Sequence, residues 1–406
     1  MICVILKASS DAIEFSQLLR SNNLAFSKKL ARVFFVHCEE SEFPFTSDQR
    51  IKSISVCSEI GVSPSATVNS VESNVVIKNH GSDYSSISDW GRSRVIRRRS
   101  PFLKHAPQAL ESLDITYRTT RTGLGVDVYM IDQGLNSSHP EFNGADITYI
   151  EGASSSNNHG AFCASSIVGV RGGIARDAKL FFRHTPLVQS SEETYAGYFD
   201  DVYQHYLSRA NTNRPAVLSC SWGSSPVDDS NLPTALILAI FDDMYDAGIV
   251  VCMAAGNACT DLDEYYIAPV DAHPDTIIVG SMGAYDQPMY INATLGTSYG
   301  DPVTVYAPGV SRIGPAYSSA TDYAALNGTS FATPITAGII ACMLEGYQRL
   351  TNVNQVRAVK QKLIENSTKD LLRVRNTYFP NGIVHNRIAY LDPNIEIEPI
   401  DGLVPI

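Results

Sequence analysis

The chain has 406 residues, 44% hydrophobic and 18% charged, with a formal charge of −11. Such a composition excludes a disordered chain, a collagen-like repeat and a coiled coil, and the length predicts two or three domains of about 100–200 residues each. The acidic balance argues against a nucleic-acid binder, because affinity for phosphate comes mainly from Lys and Arg. The sequence also holds no apolar run of about 18 residues that would mark a membrane span.

In chain order, Cys3–Lys7 reads as a strand rather than a signal peptide, since Lys7 and Asp11 interrupt it and no charged segment precedes it. Ser10–Ser21 carries Ile13, Phe15, Leu18 and Leu19 at helical spacing. Arg32–Cys38 is a second apolar run, and Ile51–Cys57 alternates as a third strand. These elements predict a small α+β domain over 1–60, followed by an irregular Ser/Asn/Val/Gly-rich linker over 61–89. Trp90–Pro101 then carries five arginines and reads as a solvated segment wrapped around the next domain.

From about residue 120, short apolar strands alternate with helices. Strands are predicted at Val126–Asp132, Lys179–Arg183, Ala216–Ser219, Ile249–Met253 and Thr276–Ser281. Helices are predicted at His159–Val168, Thr194–Ala210, Pro233–Asp246, Ser330–Leu350 and Gln355–Asn366. That alternation predicts an α/β domain over 90–390, a mainly parallel sheet with helices on both faces. The acidic tail, 391–406, is expected on the surface. The eight cysteines sit mostly in apolar runs and read as free, buried thiols, with neither a disulfide framework nor zinc-type spacing. They and the absent signal peptide favour an intracellular or particle-associated protein over classical secretion.

Four short islands lie at strand and helix ends, where α/β sheets gather function. Val128–Gly134 runs an apolar strand into Asp132, a carboxylate able to orient a histidine. Asn158–Ser165 opens a small-residue helix with His159, a side chain suited to general-base work near neutral pH. His139 is the nearest competing imidazole, but it sits in a turn. Met253–Asn257 ends a strand in small residues and then Asn257, a neutral double donor suited to a transient oxyanion. Asn327–Pro334 leads from a glycine turn straight into an apolar helix. It places Ser330 at the positive end of the helix dipole with an unpaired N–H, and Pro334 in about the first turn, where a missing N–H costs little.

An acid, a base, an amide donor and a nucleophile in the order Asp…His…Ser resemble the subtilisin-like serine peptidases. Gly328-Thr-Ser-Phe-Ala-Thr-Pro334 and Ala254-Ala-Gly-Asn257 carry the resemblance, which covers roughly 90–370. The histidine motif, usually H-G-T-H-x-A-G, here reads His159-Gly-Ala-Phe-Cys-Ala-Ser165. Gln133 stands where Ser or Thr is usual, and Phe331 where Met is common. Cys163 and Trp90-Gly-x-x-Arg94 are similar to the proteinase-K-like subgroup.

The resemblance implies a serine endopeptidase with Asp132, His159 and Ser330 as triad and Asn257 in the oxyanion hole. It further implies Ser221, Trp222 and Gly223 as a substrate-pairing strand edge, and Ala254, Ala255 and Gly256 as pocket wall. No metal or organic cofactor is required, and a monomer is expected. Partners would be a polypeptide substrate and the chain's own residues 1–60, a propeptide that assists folding, blocks the cleft and is cut off within 58–89. The competing reading is a catalytically silent scaffold, motivated by the altered residues beside Asp132 and His159.

Overall fold

The structure, a computed structural model, describes residues 2–6, 12–21, 26–30, 33–36, 44–45, 48–56, 90–100, 117–152, 158–186, 192–222, 235–263, 273–317, 319–379, 382–394 and 400–406. The predicted linker, its cleavage region and Gly223 lie outside the described residues.

The N-terminal unit contains β1 (Ile2–Leu6), α1 (Ala12–Ser21), β2 (Phe26–Leu30), β3 (Val33–Val36) and β4 (Ile51–Val56). Its antiparallel sheet has the order β2-β3-β1-β4. Val4 and Leu6, on one face of β1, are buried, as are Phe15 and Leu19 at helical spacing on α1. Strand β2 was not anticipated: Phe-Ser-Lys-Lys-Leu has neither an apolar run nor β-branched residues.

The larger unit begins with α2 (Trp90–Val95), then β5 (Asp127–Asp132), β6 (Asp146–Glu151), α3 (His159–Val168), β7 (Lys179–His184), α4 (Glu192–Ser208), β8 (Ala216–Cys220), α5 (Ala235–Asp246), β9 (Ile249–Ala254) and β10 (Ile277–Met282). A hairpin of β11 (Tyr290–Asn292) and β12 (Leu295–Gly296) follows, then β13 (Val305–Pro308) and a second hairpin, β14 (Arg312–Pro315) and β15 (Tyr323–Leu326). Helices α6 (Thr329–Leu344) and α7 (Val353–Asn366) and the short strands β16 (Thr368–Lys369) and β17 (Arg387–Ile388) complete it.

Nine strands form the central sheet in the order β16-β17-β13-β10-β9-β8-β5-β7-β6, parallel except for the β16–β17 pair. Every residue of β5, β8, β9 and β10 is buried, as expected for parallel strands covered on both sides. Helices α3 and α6 pack together, with α6 running across β8, β9, β10 and β13. Helices α4 and α5 pack on each other and on β5–β7 and β9, with α7 against α5 and β9. Helix α6 is apolar all round and wholly buried, as a core helix must be. The N-terminal sheet meets this unit through β1 against α5 and β2 against α4. The chain leaves β5 toward β6 on one side of the sheet and leaves the neighbouring β8 toward β9 on the other. The carboxyl ends of β5 and β8 therefore flank a topological switch point.

Two expectations are corrected here. Trp90–Val95 is not solvated: it forms a buried helix, with Trp90 Nε1 donating to the Val310 carbonyl at 3.0 Å and Arg94 Nε to Asp286 Oδ1 at 2.6 Å. A chain with many surface arginines still buries one where a carboxylate awaits it. The tail also does more than lie on the surface. Ile400 is buried, and Ile406 N donates to the Gly346 carbonyl at 2.8 Å, so the chain end pairs back onto the turn after α6. Of the cysteines, 163, 220, 252 and 342 are free and buried and Cys259 is free and half-buried; the side chains of residues 3, 38 and 57 lie outside the described part.

Candidate active site

Asp132 ends β5 and is fully buried, and His159 opens α3 beside it. Asn158 caps that helix, its side-chain oxygen accepting from His159 N at 2.9 Å. The next residue must be small: a Cβ at Gly160 would strike the Gln133 carbonyl oxygen. Glycine therefore lets the first turn of α3 close on the end of β5. The result is a bond of 2.8 Å between His159 Nδ1–H and Asp132 Oδ1, which leaves Nε2 as the basic nitrogen.

Asp132 Oδ1 also accepts from Gln133 N at 2.7 Å. Its Oδ2 is buried with no hydrogen-bond partner among the described residues. The Gln133 side chain turns away and donates to the Pro186 carbonyl at 3.0 Å. The altered residue after the acid is thus spent on the loop beyond β7, not on the carboxylate.

Ser330 is the second residue of α6, 4% exposed. Its Oγ donates to the Ser221 carbonyl at 3.0 Å, and Ser221 Oγ donates back to the Ser330 carbonyl at 2.9 Å. Pro334 explains the second bond. It is the sixth residue of α6, beyond the first turn, which corrects the sequence expectation. Lacking an N–H, it leaves the Ser330 carbonyl without its helical donor. Ser221 Oγ and Cys163 Sγ, the latter at 3.3 Å, take that place.

The remaining predicted residues fall around this centre. Asn257 Oδ1 accepts from Thr329 N at 2.8 Å and Thr329 Oγ1 at 3.0 Å, and Thr329 Oγ1 also accepts from Gly256 N at 3.2 Å. With its oxygen tied to α6, the Asn257 amide nitrogen meets no acceptor among the described residues, which leaves its N–H groups for a ligand. Ala254 and Ala255 are buried at the end of β9. Trp222 is buried too, its Nε1 donating to the Ile131 carbonyl at 2.9 Å, so its side chain braces β5 instead of facing a ligand. His139 is a structural residue: Nδ1 accepts from Glu141 N and Nε2 donates to the Asp322 carbonyl, both at 3.1 Å.

Thr329 was missed as a site residue, although the Gly-Thr-Ser run contained it. Phe162 and Phe331 were read as separate departures from the family pattern. Their rings lie 4.3 Å apart, and Phe331 is 5.6 Å from the His159 ring. The two changed residues pack against each other, with Phe331 beside the imidazole.

Burial works against a charged His159, but the hydrogen-bonded Asp132 carboxylate favours it, and the imidazole pKa is raised well above its usual value. Burial pushes the Cys163 thiol up to about 11, so it is neutral at pH 7. Asp132, His159 and Cys163 offer donor atoms within 4.8 Å of one another, the spacing of a metal site. A protonated thiol is a poor ligand, however, and the Asp132–His159 hydrogen bond suits a held proton. Because only neutral His159 can accept a proton, activity should fall as pH drops through this raised pKa. We expect the acid limb of kcat/KM above the usual imidazole range, and Asp132→Asn to move it down. A limb unmoved by that substitution would separate the two residues. The stability contributed by the pair follows the same sign. It is complete below the unfolded imidazole's pKa and is lost as pH rises through the folded one.

A family model described as the subtilase family matches residues 123–384. An extracellular serine proteinase of Thermus sp. (strain Rt41A) is 30% identical over 312 residues, 74% of this chain and 66% of that protein. Proprotein convertase subtilisin/kexin type 9 of Rattus norvegicus is 30% identical over 67% of this chain and 39% of its own length. The chain therefore spans just under two thirds, and under half, of these two relatives. The crystal structure of a cold adapted subtilisin-like serine proteinase has the same fold, with a TM-score of 0.58 and 24% identity over 76% of this chain and 99% of that one. Among the described residues, no helix is long and apolar enough to cross a membrane.

Proposed function

The chain belongs to the subtilase family, and on that premise we propose that it is a serine endopeptidase working through an acyl-enzyme. The reading is carried by one observation. His159 is bonded to buried Asp132 at 2.8 Å, Cys163 Sγ lies between its ring nitrogens (3.7 and 3.9 Å) and the Ser330 carbonyl (3.3 Å), and the Asn257 amide oxygen is already occupied by α6.

In the mechanism, Ser330 Oγ leaves the Ser221 carbonyl and turns to His159 Nε2, which takes its proton as Oγ attacks the scissile carbonyl. Asp132 holds the imidazole tautomer and stabilises the imidazolium. The Asn257 amide and the Ser330 N–H receive the oxyanion. His159 then protonates the leaving amine, and water repeats the sequence to release the acyl group. Every step uses groups of the chain itself.

Autoprocessing is part of the proposal. Residues 1–60 would assist folding of the domain they touch through β1 and β2, and be removed by cleavage within 58–89. Intact mass after fluorophosphonate treatment tests both ideas. One adduct on wild type, absent from Ser330→Ala, is the expected result. A matured chain without adduct would instead support the silent scaffold, the reading favoured by the unpartnered Asp132 Oδ2.

Asn257→Ala should lower kcat by roughly 100-fold or more with KM little changed, since the amide binds charge that exists only in the transition state. Steady-state kinetics on one peptide decide it. A change confined to KM would remove Asn257 from the oxyanion site.

A further inference from the structure

A cavity of about 320 Å³ lies between the turn after β10 and the segment joining β16 to β17. Tyr285, Gln287, Tyr290, Arg373, Arg375 and Tyr378 line it. Its walls are firmly built. Tyr290 and Tyr378 stack at 3.9 Å with rings 4° from parallel. Arg373 N donates to the Asp286 carbonyl at 2.6 Å, and Gly283 N to the Gln287 carbonyl at 2.8 Å.

Three features of its chemistry call for a ligand. Arg373 and Arg375 are exposed, and neither guanidinium has an acidic partner among the described residues. Two unpaired cations side by side repel each other, an odd arrangement in a chain of net charge −11. The Tyr285 hydroxyl, a donor, is buried at the same cavity without a hydrogen-bond partner among the described residues, and buried polar groups are normally satisfied. Planar guanidinium forks match carboxylates, and stacked tyrosines give an apolar wall for the chain that carries one.

The cavity is joined to the candidate active site. Tyr290 pairs with Gly296 across the β11–β12 hairpin, and Gly296 N donates to the Asn257 carbonyl at 3.0 Å. The pocket wall is thus two strand spacings, about 10 Å, from the Asn257 backbone. An extended polypeptide covers that in about three residues.

We infer that this pocket takes the carboxylate of an acidic residue in a bound polypeptide, a few residues from the scissile bond. The inference rests on the peptidase reading and adds a preference to it. Arg373 and Arg375 pair with the carboxylate, the Tyr285 hydroxyl donates to it, and the stacked Tyr290 and Tyr378 wall one side of its stem.

The test uses the Ser330→Ala chain after a trace of wild type has removed any N-terminal segment that blocks the cleft, so that binding is read without turnover. Two fluorescent peptide libraries differ only in having Glu in one where the other has Gln. The Glu library should bind at least about tenfold more tightly, as expected for charge-assisted hydrogen bonds. That preference should vanish in Arg373→Gln/Arg375→Gln and survive in Arg375→Lys, with thermal unfolding confirming that each variant folds. Equal binding of the libraries, or a preference that survives the Gln pair, overturns the inference. So does protection against heat by inorganic phosphate without any peptide preference, which would assign the pocket to a free anion. Fluorophosphonate labelling of wild type separates the two layers. Labelling without acidic preference defeats this inference alone. Failure of a matured chain to label defeats the peptidase reading, and the library comparison still decides the pocket.

Discussion

Replacing Ser330 with alanine is expected to lower kcat for peptide hydrolysis by roughly 10⁶-fold, and adding His159→Ala should cost almost nothing more. The two groups act as one unit. A base with no hydroxyl to deprotonate is as idle as a hydroxyl with no base. The residual rate, about 10³–10⁴ over water, would come from Asn257, the Ser330 N–H and substrate binding. The fold should survive. Only the bond from Ser330 Oγ to the Ser221 carbonyl is lost, about 1 kcal/mol. Burst kinetics with an activated ester measure the rate, and circular dichroism the fold. The same variant reports on processing: a self-cutting enzyme would leave Ser330→Ala at its full 406 residues while wild type is shortened. Two single variants that each lose little, with a large loss only in the double, would mean that serine and histidine do not act together.

Much of this centre was legible because it sits where local pattern and tertiary position coincide. An apolar run ending in Asp132 is a buried parallel strand, and its end is the sheet's carboxyl edge. A glycine turn entering an apolar helix fixes Ser330 at an N-terminus whatever surrounds it. What stayed hidden depends on partners far away in the chain. Phe162 and Phe331 look like two defects until their rings are found in contact. Pro334 looks like a first-turn proline until helix α6 is seen to begin at Thr329 and the Ser330 carbonyl to be capped from β8 and α3. Arg94 looks solvated because its partner, Asp286, is 192 residues away. The cavity between the β10 turn and Arg373 had no signal at all, since its walls share no motif and meet only through the sheet.

That buried arginine carries the largest expected effect on stability. Arg94 is fully buried, its Nε 2.6 Å from Asp286 Oδ1, and Asp286 is itself 2% exposed. Arg94→Ala would strand the carboxylate in the interior, so we expect a loss of about 3–5 kcal/mol. Most of that cost comes from the orphaned charge. The pair itself, set against two desolvated ions, contributes far less. Arg94→Met combined with Asp286→Asn should therefore recover much of the loss, because no ion is left without a partner and the left-handed backbone at 286, φ 57°, tolerates Asn. The turn at Asp286 also holds Arg373 through its carbonyl, so Arg94→Ala should loosen the arginine pocket as well as the fold. Urea unfolding of the two variants and their parent, all in a Ser330→Ala background where self-digestion cannot intrude, gives the comparison. If the double variant were no more stable than Arg94→Ala, the attraction itself would be what α2 contributes, and relief of a stranded charge would not explain the loss.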